Sequence, residues 1–402
     1  MANINTDNDT INSSNISSSS PLLSINLTRL DNLFNIGRNY SMIIDQYDDE
    51  QQQLQQQLQQ QSSSIIITND DDNQQECPFY PPLWLIILFT ISLIIFLMIL
   101  IRFMQAIFTW FISPLIFGNM VKWNGGPNTW AIITGATDGL GLAYAKAMAE
   151  KGYCLLLLSR NQEKLDKVKQ EILKQYQSCT DIRTLVVDFT QGHDSYDYIG
   201  EQIRSLPGSV HVLINNVGMS YKYPEYFTRI LDGNKFITNI MNCNMVSVVR
   251  MTYLVLPLME KQKSGIILNI SSFSALFPSP LLTLYSASKI FMDYFSRGLY
   301  WEYRHRGIII QSVVPYYVTT NMIRNPGVSF MIPNPDTFVR SALKTVGHEI
   351  RTYGFITHRI LAFLREWNRF FIGFNFSTRL ATRSLSNARK RCYQRKGLDH
   401  HV

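Results

Sequence analysis

The chain is short of charge and of cysteine. Asp, Glu, Lys and Arg make up 17% of its 402 residues, while 46% are hydrophobic. That balance excludes a wholly disordered protein and leaves room for one large domain with extensions. The five cysteines (Cys77, Cys154, Cys179, Cys243, Cys392) are scattered, with no CxxC pair and no histidine at ligand spacing. They exclude a disulfide scaffold and a zinc site, so no metal is expected, and they suit a reducing compartment. Bases are scarce at the front. Residues 1–82 carry eleven acids and two bases, the rest 19 acids and 35 bases, so the net +7 joins two physically different segments.

Residues 1–82 are rich in Asn and Ser, with a Gln tract at 51–61 and Asp70 to Asp72 behind it. Such a segment has too little apolar surface to offset the entropy of ordering, and it is expected to be disordered. Leu54 and Leu58 sit at helical spacing, which makes a coiled coil the alternative. Leu83 to Ile101 is nineteen residues without a charge. At about 1.5 Å per residue it covers most of a roughly 30 Å hydrocarbon core. Pro81 and Pro82 punctuate its start, Trp84 suits the interface and Arg102 closes it. A membrane-anchoring helix is expected, followed by an interfacial stretch at Phe103–Phe117, so that residues 83–117 form the anchor. The acids before it exclude a signal peptide. Arg102 and Lys122 place the remainder in the cytosol by the positive-inside rule.

From Trp123 to Val328, short apolar runs alternate with longer helical stretches. The runs are Trp130–Thr134, Cys154–Ser159, Thr184–Val187, Val210–Asn215, Gly265–Ser271 and Ile308–Val314. Near-continuous apolar strands between helices predict an α/β domain over 123–328, a Rossmann-type doubly wound parallel sheet covered on both faces. Residues 329–402 differ. Tyr353–Phe376 mixes aromatics with Arg359, Arg365 and Arg369, and a run of bases including Arg379, Arg383 and Arg389 follows. This reads as a helical, membrane-proximal extension suited to anionic lipid. No stacking module or recognition helix accompanies it, so nucleic acid is not expected as a partner.

Thr134-Gly135-Ala136-Thr137-Asp138-Gly139-Leu140-Gly141 follows the first strand and opens a helix. A turn there must bring backbone N–H groups against a pyrophosphate. Gly135 allows the tight turn, Gly139 the close approach and Gly141 the helix packing. The second strand ends at Ser159-Arg160, where an NAD site would want an acid. Arg160 suits a 2′-phosphate instead, which points to NADP(H). Asp188 ends the third strand and Asn215-Asn216 the fourth, at the carboxyl ends where such sheets bind ligands. Tyr285 and Lys289 stand four apart, on one helical face. A nearby ammonium is expected to lower the phenol's pKa toward working pH. Ser272, just past the fifth strand, is placed to bond the same substrate oxygen.

TGATDGLG, NNVG (Asn215–Gly218), Ser272 and YSASK (Tyr285–Lys289) occur in the order of the short-chain dehydrogenases/reductases, which the chain resembles from Trp123 to Asn325. NNVGMSYKYPEYF, LNISSFSALFPSPLLTLYSASK and QSVVPYYVTT bring it nearest to the microsomal branch of 17β-hydroxysteroid dehydrogenases and very-long-chain 3-oxoacyl-CoA reductases. Pro315 is followed by Tyr316 where many members have Pro-Gly, a change shared by that branch. The resemblance implies Tyr285 as proton donor, Ser272 as oxyanion partner and Lys289 as the group that binds ribose and tunes Tyr285. It implies that Asn244 holds a proton-relaying water and that Thr320 bonds the nicotinamide amide. Gly135, Gly139, Leu140, Gly141, Ser159, Arg160, Asp188 and Asn216 would line the cofactor, with Tyr285, Lys289 and Thr320. The implied activity is NADPH-dependent reduction of the 3-oxo group of long acyl-CoA in fatty acid elongation. A 17β-hydroxysteroid dehydrogenase would use the same residues. A non-catalytic membrane scaffold or lipid-binding protein is the alternative of another class, and the complete Asn244–Ser272–Tyr285–Lys289 set argues against it. Elongation enzymes and a homodimer are the implied partners. The ending Asp399-His400-His401-Val402 is neither a KDEL-type nor a lysine retrieval signal, so an endoplasmic reticulum location rests on the anchor and the resemblance.

Overall fold

Nineteen uncharged residues in a row leave the backbone one economical arrangement, a helix, and Leu83–Ile107 (α1) is one. In the computed structural model, which describes residues 53–56, 81–108, 120–192, 195–320, 327–371 and 373–397, this helix continues through Arg102 rather than stopping there. Its Leu83–Gln105 portion is long and apolar enough to cross a membrane. The expectation for residues 1–82 lies outside the described residues, apart from a helical turn at 53–56 and residues 81–82. The expectation for the interfacial stretch lies outside them from residue 109 on.

The alternation of apolar runs and helices resolves into a seven-stranded sheet in the order β3-β2-β1-β4-β5-β6-β7. The strands are β1 (Thr129–Thr134), β2 (Cys154–Ser159), β3 (Ile182–Val186), β4 (Ser209–Asn215), β5 (Gly265–Ile270), β6 (Ile308–Val313) and β7 (Arg351–Thr352). All neighbouring pairs are parallel. Strand side chains alternate between faces, so a strand buried on both reads as an unbroken apolar run. Ala131, Ile133, Leu155 and Leu157 join the core on one face, while Trp130, Ile132, Leu156 and Leu158 join the other. The first face is covered by α2 (Gly139–Glu150) and α3 (Gln162–Gln175) through Tyr144, Met148, Leu165 and Ile172. The second is covered by α4 (Ser195–Arg204) and the long helix after β4 through Ile199, Ile203, Met251 and Val255. The strand order reverses between β1 and β4, and the crevice at such a reversal is where doubly wound sheets bind ligands.

Two features depart from the sequence reading. The helical stretch expected over Phe236–Lys261 is divided into α5 (Gly233–Met241), a π turn at Asn242–Val246 and α6 (Ser247–Gln262). The sheet also runs past residue 328, where the sequence reading closes the catalytic domain. Beyond α7 (Thr283–Tyr303), α8 (Pro335–Leu343) buries Phe338 and Val339 in the first core. Strand β7 then pairs Arg351 and Thr352 with Ser312 and Val313. Two further helices complete the chain's described part, α9 (Ile356–Phe371) and α10 (Phe374–Lys396).

Candidate active site

The turn between β1 and α2 is built to admit no side chains. Gly135 and Gly139 have φ of +65° and +57°, in the region that glycine adopts at little cost. A Cβ at Gly141 would lie 2.1 Å from the Gly135 carbonyl oxygen, so its absence lets the helix start against the turn. Asn216 holds the turn from β4. Its Nδ2 donates to the carbonyls of Thr134 and Gly135 at 3.0 and 3.1 Å, and its backbone N–H donates to Thr134 Oγ1 at 3.0 Å. The Asn216 amide is therefore committed to the turn, although the residue also lines the cavity above it. At the N-terminus of α2, Asp138 makes no side-chain cap. Its carboxylate pairs with Lys164 at 2.6 Å, and α2 carries no acid in its first turn. The uncapped N–H groups of that turn suit an anion.

At the end of β2, Ser159 and Thr137 exchange a hydrogen bond at 2.9 Å, and Arg160 opens onto the same cavity. Asp188 accepts from the Thr190 backbone and hydroxyl at 3.0 and 2.8 Å, which fixes its carboxylate at the cavity edge. These groups and the glycine turn fit a dinucleotide carrying a 2′-phosphate: a cradle that any Cβ would obstruct, a free helix end and a guanidinium at the ribose position.

The π turn and α7 supply the other wall. Tyr285 sits in the first turn of α7, where the Tyr221 hydroxyl accepts the Leu284 N–H at 3.2 Å. The Ser272 hydroxyl hydrogen-bonds the Tyr285 phenol. Lys289 lies one turn further on and is buried, its Nζ donating to the Ile270 carbonyl at 3.0 Å. Ser271 Oγ donates to the Lys289 carbonyl at 2.7 Å, which docks α7 on the end of β5. Burial brings the Lys289 ammonium down to about 8. Burial also pushes the Tyr285 phenol up from its ordinary value, against the opposing bond from Ser272. The expectation that Lys289 lowers Tyr285 toward working pH is thus corrected. The Lys289 ammonium lies 5.7 Å from the Tyr285 ring centre and donates to a carbonyl, and desolvation is the largest influence on the phenol.

Asn244 is fully buried in the π turn. Its Oδ1 accepts from the Met219 N–H at 2.8 Å, and its Nδ2 donates to the Met219 carbonyl and Ser288 Oγ, both at 2.9 Å. A Cβ built on Gly218 would meet Lys289 Nζ at 3.3 Å and Asn244 Oδ1 at 3.4 Å, so both groups face one point beside Gly218. Of the site residues expected from the sequence, all but Gly141, Asn215 and Asn244 line one cavity of about 810 Å³.

The sequence reading missed the part of the lining that the C-terminal helices supply. Arg365 of α9 and Ala381, Ser384 and Leu385 of α10 line the cavity, as do Phe277, Tyr316 and Tyr317. Helix α10 is fastened there by a buried cluster. Arg389 Nε donates to Glu225 Oε1 at 2.7 Å, Tyr393 donates to Glu225 Oε2, and Arg389 Nη2 reaches the Tyr393 hydroxyl at 3.1 Å. Two of the arginines assigned from sequence to a lipid-facing surface are therefore committed to the protein, Arg389 to Glu225 and Arg359 to Glu349. Such pairs are 164 and 10 residues apart, and only the first had no local signal.

Residues 129–327 match the short chain dehydrogenase family. The chain is 49% identical over 239 residues to a very-long-chain 3-oxoacyl-CoA reductase of Anas platyrhynchos, covering 60% of this chain and 75% of that relative. It is 45% identical over 244 residues to the Homo sapiens protein of the same name, covering 61% and 77%. Among solved structures, a short-chain dehydrogenase from Sphingobium yanoikuyae in complex with NADPH aligns with a TM-score of 0.50 and 26% identity, covering 60% of this chain and 93% of that one. A 7beta-hydroxysteroid dehydrogenase aligns with a TM-score of 0.56 at 18% identity, covering 63% and 96%, a likeness of fold.

Proposed function

The chain belongs to the short-chain dehydrogenase family, and from that premise we propose that it reduces the 3-oxo group of long or very-long-chain 3-oxoacyl-CoA with NADPH. The observation that carries the chemistry is the single cavity joining Arg160 and the glycine turn to Ser272, Tyr285 and Lys289. The substrate class is supported by relatives at 42–49% identity that share one name.

Gly135, Gly139, Leu140, Ser159, Arg160, Asp188 and Thr320 would hold the cofactor, with Gly141 and Asn216 keeping the turn in shape. When bound, NADPH supplies hydride to the carbonyl carbon. Negative charge then grows on the carbonyl oxygen. Ser272 and Tyr285, hydrogen-bonded to each other, are the hydroxyl donors that answer it. Tyr285 delivers the proton from its phenolic oxygen. A phenol pushed up by burial is protonated at neutral pH, the form a donor needs, so the sign of the shift suits reduction. Lys289 remains an ammonium there, since about 8 lies above neutrality, and is the next proton source behind Tyr285. Asn244 positions the Met219 backbone at the cavity rim and faces Lys289 across Gly218.

The same reading makes α1 a membrane anchor, because its apolar side chains are exposed along its length. Arg102 and Lys122 support a cytosolic catalytic domain, and the endoplasmic reticulum and the elongation enzymes are its natural setting and neighbours. A homodimer through α6 and α7 is supported by the exposed Tyr253, Tyr294 and Trp301 on those helices.

The test is NADPH consumption by the detergent-solubilised full chain, offered a long-chain 3-oxoacyl-CoA and a 17-ketosteroid side by side. Turnover of the acyl-CoA alone, lost in Tyr285→Phe, is the expected result. Turnover of the steroid alone would overturn the substrate assignment.

A further inference from the structure

The charges lining the cavity are unevenly placed. Its acids, Asp138 and Asp188, both stand at the dinucleotide end. There Asp138 is paired with Lys164 and Asp188 is held by Thr190. Arg160 stands at that end too, and Lys289 sits at the centre. Two further cations line the cavity, Lys235 of α5 and Arg365 of α9, with no lining acid beside them.

Arg365 is a preorganised group. Its guanidinium lies over the Phe277 ring, 5.0 Å from the centre. Phe277 packs edge-on against Phe273 and Phe273 edge-on against Tyr316, while Tyr316 meets Tyr317 at a tilt, at centroid distances of 6.1, 4.9 and 4.4 Å. This aromatic row runs from Arg365 to Phe273, the residue after Ser272, and on to Tyr317, which acts on Tyr285, so Arg365 borders the cavity on the side of the catalytic pair. The neighbouring Glu366 is turned away to Arg351 and Tyr353. A guanidinium held over an aromatic ring by a cation–π contact still has N–H groups to offer a phosphate oxyanion.

We propose that Arg365, with Lys235 as a second cation, is the subsite that binds the phosphate groups of the thioester's coenzyme A portion. This rests on the acyl-CoA reading above and deepens it. It also separates the two candidate substrate classes by chemistry: a neutral ketosteroid offers nothing to a cation at this place, whereas a nucleotide-bearing thioester offers several phosphate oxygens. The catalytic triad of Ser272, Tyr285 and Lys289 makes no such distinction.

The experiment compares two 3-oxoacyl thioesters of the same acyl chain, one on coenzyme A and one on N-acetylcysteamine, which has no phosphate. In Arg365→Gln, KM for the coenzyme A thioester is expected to rise about ten-fold or more, with KM for the N-acetylcysteamine thioester and for NADPH unchanged. Arg365→Lys restores most of the loss, and Lys235→Gln gives a smaller rise of the same kind. An equal rise for both thioesters, or none for either, overturns the proposal. A measurement on the unaltered protein guards against a variant that fails to fold. With the N-acetylcysteamine thioester as substrate, free coenzyme A is expected to inhibit competitively against the thioester and not against NADPH, while pantetheine is far weaker. Equal inhibition by the two overturns the proposal. If the unaltered protein reduces neither thioester, the acyl-CoA reading itself fails.

Discussion

Arg389 and Glu225 meet at 2.7 Å across a sequence separation of 164 residues, and both are buried. Glu225 lies on the loop after β4 and Arg389 on α10, so the pair closes the cavity's far wall on the loop that carries Met219 and Tyr221. Tyr226 and Tyr393 enclose the guanidinium, with ring centres 5.1 and 4.3 Å away. Removing one partner of a buried pair strands the other charge, whereas removing both need not. Arg389→Met is therefore expected to lower stability by about 3 kcal/mol. The double change Arg389→Met with Glu225→Leu should recover much of that loss. Thermal melts of the single and double variants check this, and a double variant as weak as the single would refute it.

Arg160 is expected to choose the cofactor. It stands at the end of β2, where the adenosine ribose of a dinucleotide falls, and it faces the cavity beside Ser159. Its guanidinium suits a 2′-phosphate, which NADH lacks. Arg160→Ala should raise KM for NADPH about ten-fold or more and leave KM for NADH nearly unchanged. Steady-state kinetics with both cofactors distinguish this from a general loss of binding, which would raise both.

Much of this site was legible in the sequence because its signals are local. Strands buried on both faces read as apolar runs, and six of the seven strands fall on the runs identified from sequence alone. The glycines of the β1 turn are spaced by backbone geometry, and Tyr285 and Lys289 by one helical turn. What was not legible is long-range. Strand β7 is two residues, Arg351 and Thr352, without an apolar period. Arg365 and Arg389 look like ordinary bases of an amphipathic stretch until the fold brings Phe277 and Glu225 to them. The π turn that lowers Asn244 into the interior inserts a register change that apolar periodicity does not mark.

Asn244 is expected to act chiefly as a clamp on Met219. Both the N–H and the carbonyl of Met219 are bonded to its side chain, and the bond to Ser288 Oγ ties the clamp to α7. Asn244→Ala would leave these groups without partners inside the protein, at a cost of about 1–3 kcal/mol for each group left unsatisfied. Melting temperature and kcat should fall together while KM for NADPH holds. Asn244→Asp keeps the acceptor for the Met219 N–H but sets a carboxylate against its carbonyl, so it should rescue neither quantity. Full activity in Asn244→Asp would show that the donor half of the clamp is dispensable.

Lys289 makes a signed prediction about pH. In the folded protein without cofactor, burial brings its ammonium down to about 8, against an ordinary value of 10.5. Below about pH 8 both folded and unfolded chains hold the proton, and the cost of burying the charge is constant. Between about 8 and 10.5 the unfolded chain holds a proton that the folded one has released, so this group makes stability rise with pH across that window. Other groups titrate there too, and the variant Lys289→Met isolates this one. The stability of the unaltered protein relative to Lys289→Met is expected to be flat from pH 6.5 to 7.5 and to increase by up to a few kcal/mol toward pH 10. Chemical denaturation of both proteins in the same detergent, at matched pH, measures the difference. A difference that stays flat would mean that the bond to the Ile270 carbonyl offsets the desolvation of the ammonium, leaving Lys289 charged throughout the range in which the enzyme works.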